Sequence, residues 1–136
     1  MLKIVLSSAM MAALSTAALL NTSTQYDGDQ RLIQNRVMLQ QAIISRFAET
    51  GAMPAKIESA WFPNQQMPIH PDCPATVPLL EIVNEPNQED PENFLLDESS
   101  AGAYWYNMAN GMLRARVCDD PDLPAADRYL LINYMN

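Results

Sequence analysis

From Met1 to Thr50 the chain contains one glycine, Gly28, and no proline; Gly51 and Pro54 come directly after. Glycine and proline are the residues that interrupt helices. Their near absence, ended by this pair, predicts one helix from the start of the chain to about Thr50, loosened near Gly28.

The two halves of that helix differ. The opening, MLKIVLSSAMMAALSTAALL, carries one charge, Lys3. Ile4 to Leu20 is an uncharged run of 17 residues, at the short edge of what spans a bilayer. A cleaved Sec signal fits it poorly. Lys3 is a weak basic start, and the small-residue site Ser15-Thr16-Ala17 sits inside the apolar run.

The second half is amphipathic. On a helical wheel Leu32, Ile33, Val37, Leu39, Ile43, Ile44, Phe47 and Ala48 share about half the circumference, with Phe47 near the middle. Gln34, Asn35, Gln41, Ser45 and Glu49 lie opposite. Arg36 and Gln40 intrude on the apolar side, and Met38 sits on the polar one. The division is therefore an apolar half-helix over 1–25 and, over 26–136, a head that includes the amphipathic half-helix 26–50.

The chain has 136 residues and a net charge of −8. That length fits one domain with a modest core. The acidity argues against a nucleic-acid partner, which needs a basic face to neutralise phosphates. It argues equally against a polybasic membrane-surface module.

Past the helix, residues 52–78 hold six of the ten prolines and read as an ordered, extended loop. Thr76 to Val83 reads as a short strand, with Pro78 placing it at a sheet edge. Asn84 to Ser100 is acidic and polar, a solvated surface loop anchored by Phe94, Leu95 and Leu96. The clearest local signal is AYWYN-MANG-MLRARV, a β-hairpin turning at Asn110-Gly111. In its return strand Leu113, Ala115 and Val117 alternate with Arg114 and Arg116, which predicts one buried and one wet face. RYLLIN, Arg128 to Asn133, adds a final strand. The fold class is α+β, a long N-terminal helix packed on a small antiparallel sheet.

Chemistry is sparse. His70 stands alone between Ile69 and Pro71, and a general base needs a partner that the sequence does not nominate, so no enzyme is expected. Cys73 and Cys118 match no metal motif. In an exported chain they pair as a disulfide that destabilises the unfolded state by about 4 kcal/mol; in a cytoplasmic chain they stay buried thiols. Asp119, Asp120, Asp122 and Asp127 lie just past the hairpin as a cluster of oxygen ligands suited to calcium, or as a solvated acidic turn. Arg114 and Arg116, on the wet face, are available to an acidic neighbouring subunit or are simply solvated.

Three segments together resemble the type IV pilins and the pseudopilins of type II secretion. MLQQAIISRFAETGAMP, 38–54, is similar to the end of the family's long helix. WFPNQQMPIHP, 61–71, is similar to the proline-bearing loop found after that helix in many relatives. YWYNMANGMLRARV, 104–117, resembles the family's aromatic hairpin. The resemblance implies a subunit held in the inner membrane with its head in the periplasm or outside, whose partners are copies of itself, other pilin-like subunits and the secretion or pilus machinery. It also implies calcium in a C-terminal loop, as in major pseudopilins.

The N-terminus departs from the family. Pilins are cut after a leader glycine, and the mature chain opens on a run like FTLIE, which is absent here. MLKIVLSSAMMAAL is similar to the alanine-dotted aliphatic stretch that pilins carry directly after that run. Met1 is then an internal methionine with the true start upstream; a pilin-like chain without the processing site is the other possibility. From a different class, an exported soluble binding domain with a cleaved signal predicts a mature start near Ala18.

Overall fold

The computed structural model describes residues 23–135, so the anchor predicted over 1–25 lies almost wholly outside the described residues. Helix α1, Ser23–Thr50, runs unbroken through Gly28. It ends where the sequence predicts. Gly51 takes φ +79°, and its N–H donates to the Phe47 carbonyl at 2.8 Å, closing the last turn.

Three short strands come next: β1, Leu80–Val83; β2, Tyr104–Asn107; and β3, Met112–Ala115. They pair in the order β1-β2-β3. The hairpin β2–β3 is antiparallel, as expected. Of the Asn110-Gly111 pair only Gly111 takes a positive φ, +77°, and the Asn107 carbonyl accepts its N–H at 2.8 Å. Helix α2, Ala125–Tyr134, completes the chain.

The structure corrects several expectations. The sheet is mixed, because β1 runs parallel to β2. Residues 84–103 carry the chain back to the starting end of the sheet before β2 begins, so the two strands share a direction. The strand expected over Thr76–Val83 starts only at Leu80, since Pro78 offers no N–H and the Val77 N–H is spent on the Pro74 carbonyl. RYLLIN is helical. Arg128, Tyr129, Ile132 and Asn133 are buried, a spacing of helical period, and Leu130 is 51% exposed.

The stripe of α1 that meets the sheet is also displaced from the predicted one. Leu32, Arg36, Leu39 and Ile43 are buried, whereas Phe47 and Ile44 are 43% and 55% exposed. A helix of 28 residues measures about 42 Å. The four-residue strand β3 measures about 13 Å. The sheet therefore runs out before Phe47 is reached. The core lies between that stripe and the inner sheet face, with Leu32, Leu39, Ile43, Tyr104, Tyr106 and Leu113 fully buried. Each such side chain contributes about 1.5–3 kcal/mol relative to exposure. The proline loop is tied to this core through tyrosine hydroxyls: Tyr106 Oη donates to the Pro54 carbonyl at 2.8 Å and Tyr104 Oη to that of Ile69 at 3.1 Å.

Candidate functional site

Two polar constellations stand out, one on each side of β3. The first is the sheet face expected to be wet. Arg114 and Arg116 are 7% and 6% exposed, so that expectation is overturned. The acidic segment 84–100, expected to be solvated, is what covers them. Arg116 Nε donates to the Asn93 carbonyl at 2.8 Å, Nη1 to that of Gly102 at 2.7 Å, and Nη2 to Glu81 Oε1 at 2.7 Å. Arg114 Nε reaches the Glu89 carbonyl and Asp90 Oδ1, each at 3.1 Å.

Asp90 gathers two phenols as well. Tyr129 Oη donates to it at 2.7 Å and Tyr134 Oη lies 2.7 Å from its other oxygen. The Arg114 guanidinium also lies over the Tyr134 ring, 4.3 Å from its centroid. Burial, and then the Asp90 carboxylate, pushes the Tyr129 hydroxyl well above its ordinary range. Asn107, 0% exposed, completes the seam by donating to the carbonyls of Glu85 and Gln88 at 2.8 and 2.7 Å. The two arginines, expected to be solvated or to meet an acidic neighbouring subunit, are paired within the chain instead.

The second constellation brings together residues distant in sequence: His70, Asp72, Cys73, Cys118, Asp29 and Arg128. His70 is 3% exposed. Its Nε2 lies 2.8 Å from the Arg116 carbonyl and its Nδ1 accepts the Asp72 N–H at 3.1 Å. A carbonyl only accepts and an amide N–H only donates, so the ring is neutral with its proton on Nε2. Burial pushes its pKa below the ordinary value, against a smaller upward pull from that carbonyl and from Asp72. With both nitrogens engaged, the ring offers no free lone pair to a substrate.

Both cysteines border one small cluster formed by Val77, Leu96 and Ala103, and both are free thiols. Burial raises the pKa of each, with Asp72 adding to the effect at Cys118. Neither is therefore poised as a thiolate nucleophile. Beside them Arg128 bridges Asp29 and Asp72 at 2.8 and 3.1 Å.

The four candidate calcium aspartates are dispersed along a turn and a helix start. Asp120 Oδ1 accepts the Asp122 N–H at 2.7 Å, and Asp127 lies in the first turn of α2. Carboxylate chemistry suits calcium, but among the described residues no three His, Cys, Asp or Glu side chains converge as a metal-holding group. Nor is any helix among the described residues long and apolar enough to cross a membrane.

Residues that carry no motif in the sequence close the outer edge of β3. Gln40 Oε1 accepts the Leu113 N–H at 3.1 Å, and its Nε2 donates to the Gly111 carbonyl at 2.8 Å. Asn133 does the same for Ala115, at 2.8 Å to the N–H and 3.0 Å to the carbonyl. Two side-chain amides thus stand in for a fourth strand. Arg36 Nε caps the last turn of α2 through the Ile132 carbonyl at 3.1 Å. The signal for two of these is present in the sequence: Arg36 and Gln40 intrude on an apolar stripe, and polar residues there need partners.

No protein-family model, curated protein or solved structure matches this chain.

Proposed function

We propose that the chain is a pilin-like or pseudopilin-like structural subunit that assembles into a type IV pilus or a type II secretion pseudopilus. The observation that carries this reading is α1. It is one unbroken helix, it is laid on a hairpin by Leu32, Arg36, Leu39 and Ile43, and it ends at Gly51 with Pro54 behind it. Its flank is left to partners, with Ile44 and Phe47 exposed and Val37 half-buried beside them. In this reading residues 1–25 hold the subunit in the inner membrane and then pack in a filament core. Small residues such as Ala9, Ala12, Ala13, Ala17 and Ala18 let helices approach closely there.

The head then lies in the periplasm or outside, where oxidation of Cys73 and Cys118 to a disulfide belongs to the same proposal. Calcium on Asp119, Asp120, Asp122 and Asp127 belongs to it as well, and a calorimetric titration silent at millimolar calcium removes it. The mixed sheet and the helix α2 depart from the antiparallel sheet and final strand expected of the resembled pattern.

N-terminal mass spectrometry of the mature protein, with membrane fractionation, tests the reading. A mature chain that keeps its apolar segment and partitions with the inner membrane or a filament is expected. A mature start near Ala18 with no membrane fraction overturns it in favour of an exported soluble binding domain.

A further inference from the structure

The two edges of the sheet are treated differently. The outer edge of β3 is closed by Gln40 and Asn133, whereas the outer edge of β1 is open. The Leu79 carbonyl accepts the Tyr104 N–H and the Val83 carbonyl accepts the Met108 N–H, each at 2.8 Å. In a parallel ladder alternate residues turn to the same side. Leu80 and Ile82 therefore aim their N–H and C=O groups away from β2. Among the described residues these groups meet no partner.

The chemistry on the two sides of this edge is distinct. On the core side Ile82 is 39% exposed, an apolar seat at the rim. On the other side an open hollow is lined by Glu81, Val83, Glu85, Glu92, Trp105 and Arg116. Glu81 is paired with Arg116. Glu85 and Glu92 are exposed and enter no ion pair among the described residues, so the hollow keeps a negative excess.

We propose that β1 is a docking edge for an extended segment of a partner protein in which apolar and basic side chains alternate. Such a segment adds a fourth strand, its backbone pairing with Leu80 and Ile82. Successive side chains of a strand fall on opposite faces. The apolar ones then land beside Ile82 and the basic ones over Glu81, Glu85 and Glu92. A second copy of this chain is the poorer occupant, because it brings its own Glu81 and Glu85 against the same carboxylates. The inference is independent of filament assembly, since it uses neither α1 nor the apolar segment.

The test uses the ¹⁵N-labelled full chain in a nonionic detergent and an acetylated, amidated hexapeptide alternating lysine and valine. The amide signals of Leu80 and Ile82 are expected to shift as peptide is added, and their hydrogen exchange to slow by about tenfold at saturation. Ile82→Pro removes an outward N–H without touching the β1–β2 ladder, and is expected to weaken binding about tenfold. The surface double variant Glu85→Lys/Glu92→Lys is expected to weaken it by a similar factor. The proposal is overturned if those amides stay unmoved at millimolar peptide. It is overturned equally if a glutamate–valine hexapeptide binds as well, or if the same amides shift with protein concentration alone, which assigns the edge to a second copy.

Discussion

Asp29 on α1 and Arg128 on α2 are 99 positions apart and form a two-pronged ion pair, with Nη2 at 2.8 Å and Nε at 3.0 Å from the same carboxylate oxygen. The two side chains are 8% and 5% exposed. Arg128 also reaches Asp72 Oδ2 and the Cys118 carbonyl, both at 3.1 Å. One guanidinium thus joins the start of the described helix, the proline loop, the end of the hairpin and the C-terminal helix.

Removing one partner of a buried pair leaves the other charge desolvated. Asp29→Ala is expected to lower stability by about 3–5 kcal/mol in urea melts. Asp72, whose side chain is 39% exposed, holds a screened interaction with the same arginine. Asp72→Ala is expected to cost about 1 kcal/mol or less. Equal losses from the two variants would refute this division of labour.

The amide caps on β3 differ in burial, and their removal should differ in cost. Ala115 is 0% exposed, so Asn133→Leu leaves its N–H and C=O unpaired without water. A loss of about 2 kcal/mol or more is expected. Gln40 is half-buried, and water replaces part of what Gln40→Ala removes, giving about 1 kcal/mol. Chemical denaturation of the two variants side by side checks the order, and its reversal contradicts the account.

His70 makes stability depend on pH in a defined direction. Its folded pKa is depressed below 6.5 by burial, so the unfolded chain takes up the proton first. The contribution is complete above the unfolded value and is lost as pH falls below it toward the folded one. Protonation also puts a hydrogen on Nδ1, facing the Asp72 N–H. Between about pH 7.5 and about pH 5.5 the wild type should lose more stability than His70→Gln, with an extra slope of at most about 1.4 kcal/mol per pH unit. Parallel profiles would remove His70 as the cause.

Gly102 is where β1 comes closest to the strand entry of β2. A Cβ there meets the backbone nitrogen of Glu81 and lies 2.7 Å from the Leu80 carbonyl carbon. Backbone on both sides cannot yield as a flexible side chain does. Gly102→Ala is expected to cost about 1–3 kcal/mol and to speed hydrogen exchange at Ala103 and Tyr104, whose N–H groups bond the approach to β1. Ala101→Ser, at an exposed neighbour, is expected to stay within about 0.5 kcal/mol of wild type. A neutral Gly102→Ala would mean the strands have room to spare.

The elements legible in the sequence are those whose cause is local. Gly51 and Pro54 mark the end of α1, and Asn110-Gly111 between alternating strands marks the hairpin, because backbone preference and turn chemistry act within a few residues. The buried face of the hairpin is equally readable from Leu113, Ala115 and Val117. Alternation says which side chains share a face, however, and not what lies over that face. Taken alone it sends Arg114 and Arg116 to solvent, and only the long-range path of 84–100 buries them. RYLLIN has four consecutive apolar residues, a pattern compatible with either period. Its fate is decided by a surface that accepts Tyr129 and Ile132 and leaves Leu130 in water.

The direction of β1 and the meeting of Asp29 with Arg128 belong to the same class. Neither strand polarity nor a contact across 99 positions is written in nearby residues. Both arise from where the connecting chain travels once the core has closed. By itself, then, the sequence determined the helix over Ser23–Thr50, its stop, the hairpin and its apolar face, since these rest on short-range backbone and side-chain preferences. Only the tertiary structure decided which polar groups are buried, what neutralises them and which sheet edge stays open, since burial depends on the packing of segments remote in the chain.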